Sequence, residues 1–226
     1  DDNDIRDDAR PWMMGDILHS GPVAINYGAT GRDGYDQLNP ELYLMVASND
    51  GYVRMIRNNV SDGTPDGKEV WAFFPRELLP ILDKLKTNSE GTHPYGVDSP
   101  ITIYTKNNCD KKSDPVDKFS LRDDEDNTSV CNGEGDKVWA FFGLRRGGKS
   151  YYGLDISDPT TPKILWRITK GDDFAELGQS WSKPLITHLD WGDGLKPVVI
   201  FAGGYDTLKD NHKDLTSNTA YNETVD

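Results

Sequence analysis

One local pattern occurs twice in this chain: a β-rich run, a tight turn, a second β-rich run, a further turn and a strand bearing tryptophan. The first copy uses residues 42–46, the turn Ser48-Asn49-Asp50-Gly51, residues 52–56 and then 69–74 with Trp71, after turn signals at Asp62-Gly63 and Asp66-Gly67. An Asp-Gly step between two such runs favours a hairpin, because glycine accepts the positive φ that the tight turn demands. The second copy uses 137–142, the turn Arg146-Gly147-Gly148, 151–156, and 164–168 with Trp166 after Pro159 and Pro162. Residues 197–204 open a third unit, and 21–25 read as the last strand of a preceding one. Repeated antiparallel meanders are the sequence mark of a β-propeller, so the fold class expected is all-β.

Blades take about 40–45 residues and propellers about 4–8 blades. The 226 residues, with their long loops, would therefore supply roughly four blades. Residues 1–226 are expected to form part of a single β-propeller domain, with the remainder of the ring outside this chain. One helix interrupts the strands around 80–86, where Leu78, Leu79, Ile81, Leu82 and Leu85 have helical spacing and Pro80 suits a first turn. It is expected to plug one face of a blade. Residues 106–134 and 209–226 are polar and aperiodic, and read as an insertion loop and a flexible tail.

The only two cysteines, Cys109 and Cys131, bracket the acidic part of that insertion. A disulfide clamp on the loop is one reading and two unpaired thiols the other. A closed loop of this length would gain about 3 kcal/mol and imply an oxidising compartment.

A formal net charge of −13 and a pI near 4.7 exclude electrostatic attraction to nucleic acid or to an anionic membrane, since both repel such a chain at long range. No apolar run reaches the roughly 18 residues of a membrane span, so no membrane insertion is expected. The first residues, Asp1-Asp2-Asn3-Asp4, have no basic or apolar part of a signal peptide, and the chain is expected to be a piece of something longer.

The run Gly143-Leu144-Arg145-Arg146-Gly147-Gly148-Lys149-Ser150 matches the phosphate-binding pattern G-x-x-x-x-G-K-S at every position. That loop works by feeding a helix whose free N–H groups hold phosphate, whereas a strand-like, Pro-terminated segment follows here. It reads as a hairpin turn. Asp190-Trp191-Gly192-Asp193-Gly194 has two of the oxygens a calcium loop needs, and Asp123-Asp124-Glu125-Asp126 lacks the turning glycine, so both read as solvated turns. His19, His93, His188 and His212 lie far apart with no partner at metal-ligand spacing. Without a G-x-S-x-G elbow or a cysteine in a nucleophile motif, no catalytic, cofactor-binding or metal residue is assigned and no enzyme is expected.

Several motifs resemble, in order and spacing, the C-terminal propeller of the PilY family of type IV pilus tip adhesins and biogenesis factors. They are Gly15-Asp16-Ile17 with His19-Ser20-Gly21-Pro22-Val23, Ala47-Ser48-Asn49-Asp50-Gly51, Ala72-Phe73-Phe74-Pro75-Arg76-Glu77-Leu78-Leu79-Pro80 and His93-Pro94-Tyr95-Gly96-Val97-Asp98. Next come Gly143-Leu144-Arg145-Arg146-Gly147-Gly148, Tyr151-Tyr152-Gly153-Leu154-Asp155-Ile156, Leu177-Gly178-Gln179-Ser180-Trp181-Ser182-Lys183-Pro184 and Phe201-Ala202-Gly203-Gly204-Tyr205-Asp206. The resemblance implies a propeller related to the quinoprotein dehydrogenases, exported to the bacterial outer surface and carried at the pilus tip. It implies a role in pilus assembly, adhesion and twitching motility, with minor and major pilins as partners and an unidentified surface receptor. The family's Asp-rich calcium loop would lie beyond the last matched motif, and Gly31-Arg32-Asp33-Gly34 is only a near miss to Arg-Gly-Asp. Calcium control would thus belong to a missing part of the domain, and no cofactor is evident within this chain. The alternatives are a fragment of a quinone-dependent dehydrogenase, sharing Trp71, Trp139 and Trp166 as blade tryptophans, and a generic extracellular carbohydrate- or protein-binding propeller.

Overall fold

The computed structural model describes residues 14–28, 34–36, 38–87, 91, 93–106 and 137–206. Three antiparallel sheets follow one another along the chain. The first orders β1 (Val23–Gly28), β2 (Glu41–Ala47), β3 (Val53–Arg57) and β4 (Glu69–Phe73) as neighbours in sequence order. The second does the same with β5 (Thr102–Lys106), β6 (Lys137–Phe142), β7 (Ser150–Asp155) and β8 (Lys163–Thr169). The third, among the described residues, is the hairpin of β9 (Leu185–Asp190) and β10 (Leu195–Ile200). A helix, α1 (Leu79–Thr87), and short 3-10 turns complete the list.

The repeated meander is thus observed, each copy one strand longer than the motif shows. The run at 21–25 does not close a preceding unit. Its strand β1 pairs with β2, Val23 opposite Met45 and Ile25 opposite Tyr43, and opens the first sheet. In β2 the alternation that places Tyr43, Met45 and Ala47 on one face matches the two-residue period of a strand, and those three side chains are buried. At the β2–β3 turn Gly51 has φ +93°, and its α-hydrogen side faces the Phe74 ring and Ile81, leaving no room for a methyl group.

One apolar core joins the first two sheets. Tyr43, Met45, Val53 and Met55 from the first meet Val138, Ala140, Phe142, Tyr152 and Leu154 from the second. Burying each large side chain contributes about 1.5–3 kcal/mol relative to exposure. Directional contacts fix how the sheets sit on one another. Phe73 meets Phe142 and Tyr152 edge to face at centroid distances of 6.2 and 5.4 Å. The Tyr27 hydroxyl donates to the Ile156 carbonyl at 2.6 Å, and the Trp71 Nε1–H to the Pro159 carbonyl at 2.8 Å. Burial raises the Tyr152 pKa well above its ordinary value, and the bond its hydroxyl donates to the Glu77 carboxylate adds to the rise.

The helix is narrower in its burial than its spacing suggests. Leu78, just before it, and Ile81 enter the core, while Leu79, Leu82 and Leu85 face solvent. Among the described residues no helix is long and apolar enough to cross a membrane. The tail and all of the insertion but Lys106, with Cys109, Cys131, Asp123 to Asp126 and His212, fall outside the described residues; Lys106 and Lys137 close the β5–β6 pairing opposite each other.

Candidate binding face

The meander topology sorts the connections to two ends. One end holds the β2–β3 and β6–β7 turns, the residues after β10, and the segments that lead into each sheet. Those lead-in segments share a serine before a proline: Ser20-Gly21-Pro22, Ser99-Pro100 and Ser182-Lys183-Pro184. Each serine bonds to the backbone where the second strand of its own sheet ends. Ser20 donates to the Ala47 carbonyl, Ser99 accepts from the Gly143 N–H at 3.3 Å, and Ser182 accepts from the Ala202 N–H at 2.9 Å.

Each turn is also stapled to the lead-in of the next sheet. The Val97 N–H donates to the Ser48 carbonyl at 3.2 Å and the Gly96 N–H to Asn49 Oδ1 at 3.2 Å. One sheet further on, the Arg145 N–H donates to the Ser180 carbonyl, the Ser180 N–H to the Gly148 carbonyl, both at 3.1 Å, and the Leu144 N–H to Ser180 Oγ at 2.8 Å. A methyl on Gly147 would overlap the Gly96 carbonyl, so this approach of two backbones depends on glycine.

The first turn is held by charge. Arg54, with 9 % of its side chain exposed, reaches Asp50 at 2.6 Å and Glu69 at 3.0 Å. Burial opposes the charge on Asp50, but hydrogen bonds from Arg54, Ser48 and the Gly15 N–H outweigh it and hold its pKa below the ordinary 3.8. His19, read from sequence as a lone histidine, bonds to the buried carboxylate of Asp98 at 2.7 Å, and His93 meets Asp16 at 3.1 Å.

The second turn carries the most distinctive chemistry. Arg145 has φ +51°, the left-handed region that only this residue among the described non-glycines occupies. Its guanidinium lies 4.7 Å from the Trp181 ring centre. Arg146 lies 5.0 Å from the Tyr95 ring and 5.6 Å from Trp181, and donates to the Tyr95 hydroxyl at 2.9 Å. Tyr95, Arg146 and Trp181, with Gln179 and Tyr205, line an open cavity of about 730 Å³. Tyr95, Arg146 and Trp181 sit on three different loops, so sequence alone did not bring them together.

The G-x-x-x-x-G-K-S run occupies this turn, and the segment after it is strand β7, not a helix. Lys149 faces Asp206 at 3.9 Å and Ser150 is buried, donating to Thr169 Oγ1 at 3.1 Å, so both side chains are engaged within the fold. At the Asp190 to Gly194 hairpin, Asp190 accepts from the Gly192 N–H at 2.8 Å and Asp193 pairs with Lys196 at 2.6 Å. Among the described residues no three His, Cys, Asp or Glu side chains converge as a metal set. A second concavity, apolar and of about 460 Å³, lies between the second sheet and the β9–β10 hairpin, walled by Tyr104, Trp139, Trp166, Ile186 and Val199.

No protein-family model matches the chain. It is 29 % identical over 224 residues to a type IV pilus biogenesis factor PilY1 homolog of Xylella fastidiosa, covering 92 % of this chain. It is 27 % identical over 221 residues to the type IV pilus biogenesis factor PilY1 of Pseudomonas aeruginosa, covering 89 % of this chain. The chain spans 16 % of the length of each relative. A crystal structure of the C-terminal domain of PilY1 from Pseudomonas aeruginosa is similar with a TM-score of 0.45 and 23 % identity, over 75 % of this chain and 26 % of that one.

Proposed function

We propose, from a resemblance to the PilY family of type IV pilus biogenesis factors that the curated relatives bear out, that the chain is a non-catalytic binding module of such a factor. In this reading it is displayed on the bacterial outer surface at the pilus tip. There it supports pilus assembly, attachment to host or abiotic surfaces, and twitching motility, with minor and major pilins as partners. The observation that carries the reading is similarity along 89–92 % of the chain to proteins named as type IV pilus biogenesis factors. The activities are those of a longer protein, of which a region like this one is 16 %.

Two features of the fold support the reading. Successive four-stranded meanders share one core and are stapled turn to lead-in, which is how neighbouring blades of a propeller sit; residues 1–226 would be part of such a ring. The face built by Tyr95, Arg145, Arg146 and Trp181 has the composition of interaction hot spots, where tryptophan, tyrosine and arginine are enriched. A Cys109–Cys131 clamp on the insertion suits an exported protein, because disulfides persist in oxidising compartments.

Affinity purification of the full-length parent from sheared surface fibres, followed by mass spectrometry, tests the proposal. Co-recovery of major and minor pilins is the expected result. A clean preparation without pilins would overturn the pilus assignment and leave a free-standing extracellular binder.

A further inference from the structure

The second turn and its neighbours form a face whose charge is one-sided: the cavity lining holds Arg146 and no carboxylate. Gln179 Oε1 takes the Trp181 Nε1–H at 3.1 Å, and the Tyr95 hydroxyl takes an N–H of Arg146 at 2.9 Å. The Gln179 amide donates to the Arg146 carbonyl at 3.3 Å, so that side chain is held at both ends. The charge of this face is carried by two guanidinium groups. Neither Arg145 nor Arg146 has a carboxylate partner among the described residues, and the Nε–H of Arg145 is buried without any hydrogen-bond partner. Burying such a donor unsatisfied costs about 1–3 kcal/mol; of the two arginines it is Arg146 that is exposed and lines the cavity.

We propose that this face binds a carboxylate on a segment of a protein partner, seated against Arg145 and Arg146 with an adjoining apolar side chain on the rings of Trp181 and Tyr205. A guanidinium carries a positive charge and offers the planar fork that a carboxylate fits. A neutral sugar carries no charge to set against a guanidinium, so it would lack the charge-assisted pair that a carboxylate forms. A polyanion such as an acidic polysaccharide or nucleic acid would meet long-range repulsion from a chain of net charge −13, whereas one or two carboxylates on a folded partner would not be so penalised.

The face is also held in its binding geometry before any partner arrives. Arg145 is fixed in a left-handed backbone conformation by the bonds of its turn to Ser180, and the backbone beneath Arg146 is locked where Gly147 packs on the Gly96 carbonyl. Trp181 is oriented by Gln179. Little freedom is left to lose on binding, which is what preorganisation contributes to affinity. The partner's being a protein rests on the proposed function above; the pairing of guanidinium with carboxylate does not.

The test is an NMR titration of the isotope-labelled chain, following the Trp181 indole N–H and the Arg145 and Arg146 side-chain Nε–H signals. The probes are the acetylated, amidated tripeptide Glu-Phe-Glu, its neutral analogue Gln-Phe-Gln, and trigalacturonate. Saturable shifts of those three signals with Glu-Phe-Glu are expected. Binding should be about tenfold weaker with Gln-Phe-Gln and comparably weakened by Arg146→Gln, while Lys163→Gln, at the far end of β8, should bind like the parent. Raising salt should weaken the acidic peptide and leave the neutral one unchanged. Equal binding of the two peptides, no shift with either, or trigalacturonate binding more tightly than Glu-Phe-Glu would each overturn the proposal. Arg146 is exposed, so its variant is expected to fold; unchanged shifts elsewhere in the spectrum check that, and Arg145→Gln gives a second reading. Because the titration uses no pili, peptide binding alongside a pilin-free fibre preparation would separate failure of the pilus assignment from failure of this one.

Discussion

Asp50→Asn removes the charge from the first turn while keeping the shape of the side chain. Asp50 accepts from Arg54 Nη1 at 3.1 Å and Nη2 at 2.6 Å, from Ser48 Oγ at 2.6 Å, and from the Gly15 N–H at 3.1 Å. Asparagine keeps one oxygen for these donors and turns an NH2 group, itself a donor, toward a guanidinium that can only donate. Arg54 would then rely on Glu69 at 3.0 Å, whose side chain is 50 % exposed. Removing one partner of a fully buried pair costs about 3–5 kcal/mol; the 18 % exposure of Asp50 and the surviving Glu69 contact bring the expectation to about 2–3 kcal/mol. For a chain of this size that is a fall in Tm of roughly 4–12 °C.

The same substitution has a defined pH signature. The Asp50 pKa is lowered in the folded state, so the unfolded chain binds the proton first as acid is added. Its contribution to stability is therefore complete above the unfolded pKa and disappears as pH falls through the folded one. Urea unfolding of parent and variant should give a constant gap from neutral pH down to about pH 5 and a gap that closes below that. A variant as stable as the parent at pH 7, or a gap that widens on acidification, would refute the assignment of Asp50 as the charge that holds this turn.

Two further substitutions probe the staples and the sheet contact. Gly147→Ala should lower stability by about 2–3 kcal/mol, because the new methyl meets backbone that cannot move aside, and should weaken Glu-Phe-Glu binding; denaturation and the NMR titration read the two effects separately. Trp71→Phe keeps most of the ring but loses the bond to the Pro159 carbonyl, and should cost about 1–2 kcal/mol in urea unfolding, with no change in the Trp181 signal.

Much of the scaffold is legible in the sequence because its signals are local. Asp-Gly at 50–51 and Gly-Gly at 147–148 mark turns by their backbone freedom, and 42–46, 137–142 and 151–156 are dense enough in β-branched and aromatic residues to declare strands. Strands β5 and β9 carry no such local signal, for a physical reason. Thr-Ile-Tyr-Thr-Lys and Leu-Ile-Thr-His-Leu-Asp are half polar and half exposed, so only pairing to β6 and β10 makes them strands. Of the five apolar residues at helical spacing, two are buried, because the helix touches the core along one edge only. The binding face is a tertiary product. Arg145-Arg146 was visible, but the turn hides its purpose until Tyr95 and Trp181 arrive from loops 50 and 35 residues away. The one local hint was the serine-before-proline step at 20, 99 and 182, which marks where each lead-in segment bonds back.

The sorting of connections to opposite ends has a consequence for divergence. Strands of six residues separate the ends by about 20 Å. The arginines and their aromatic neighbours occupy one pole, with the staples between sheets. The chain between Lys106 and Lys137 leaves from and returns to the other pole, through two residues already paired with each other. Descendants could therefore lengthen, shorten or rewrite that excursion without disturbing a single staple, and the two poles can change under separate selection, one conserving a contact while the other explores new ones.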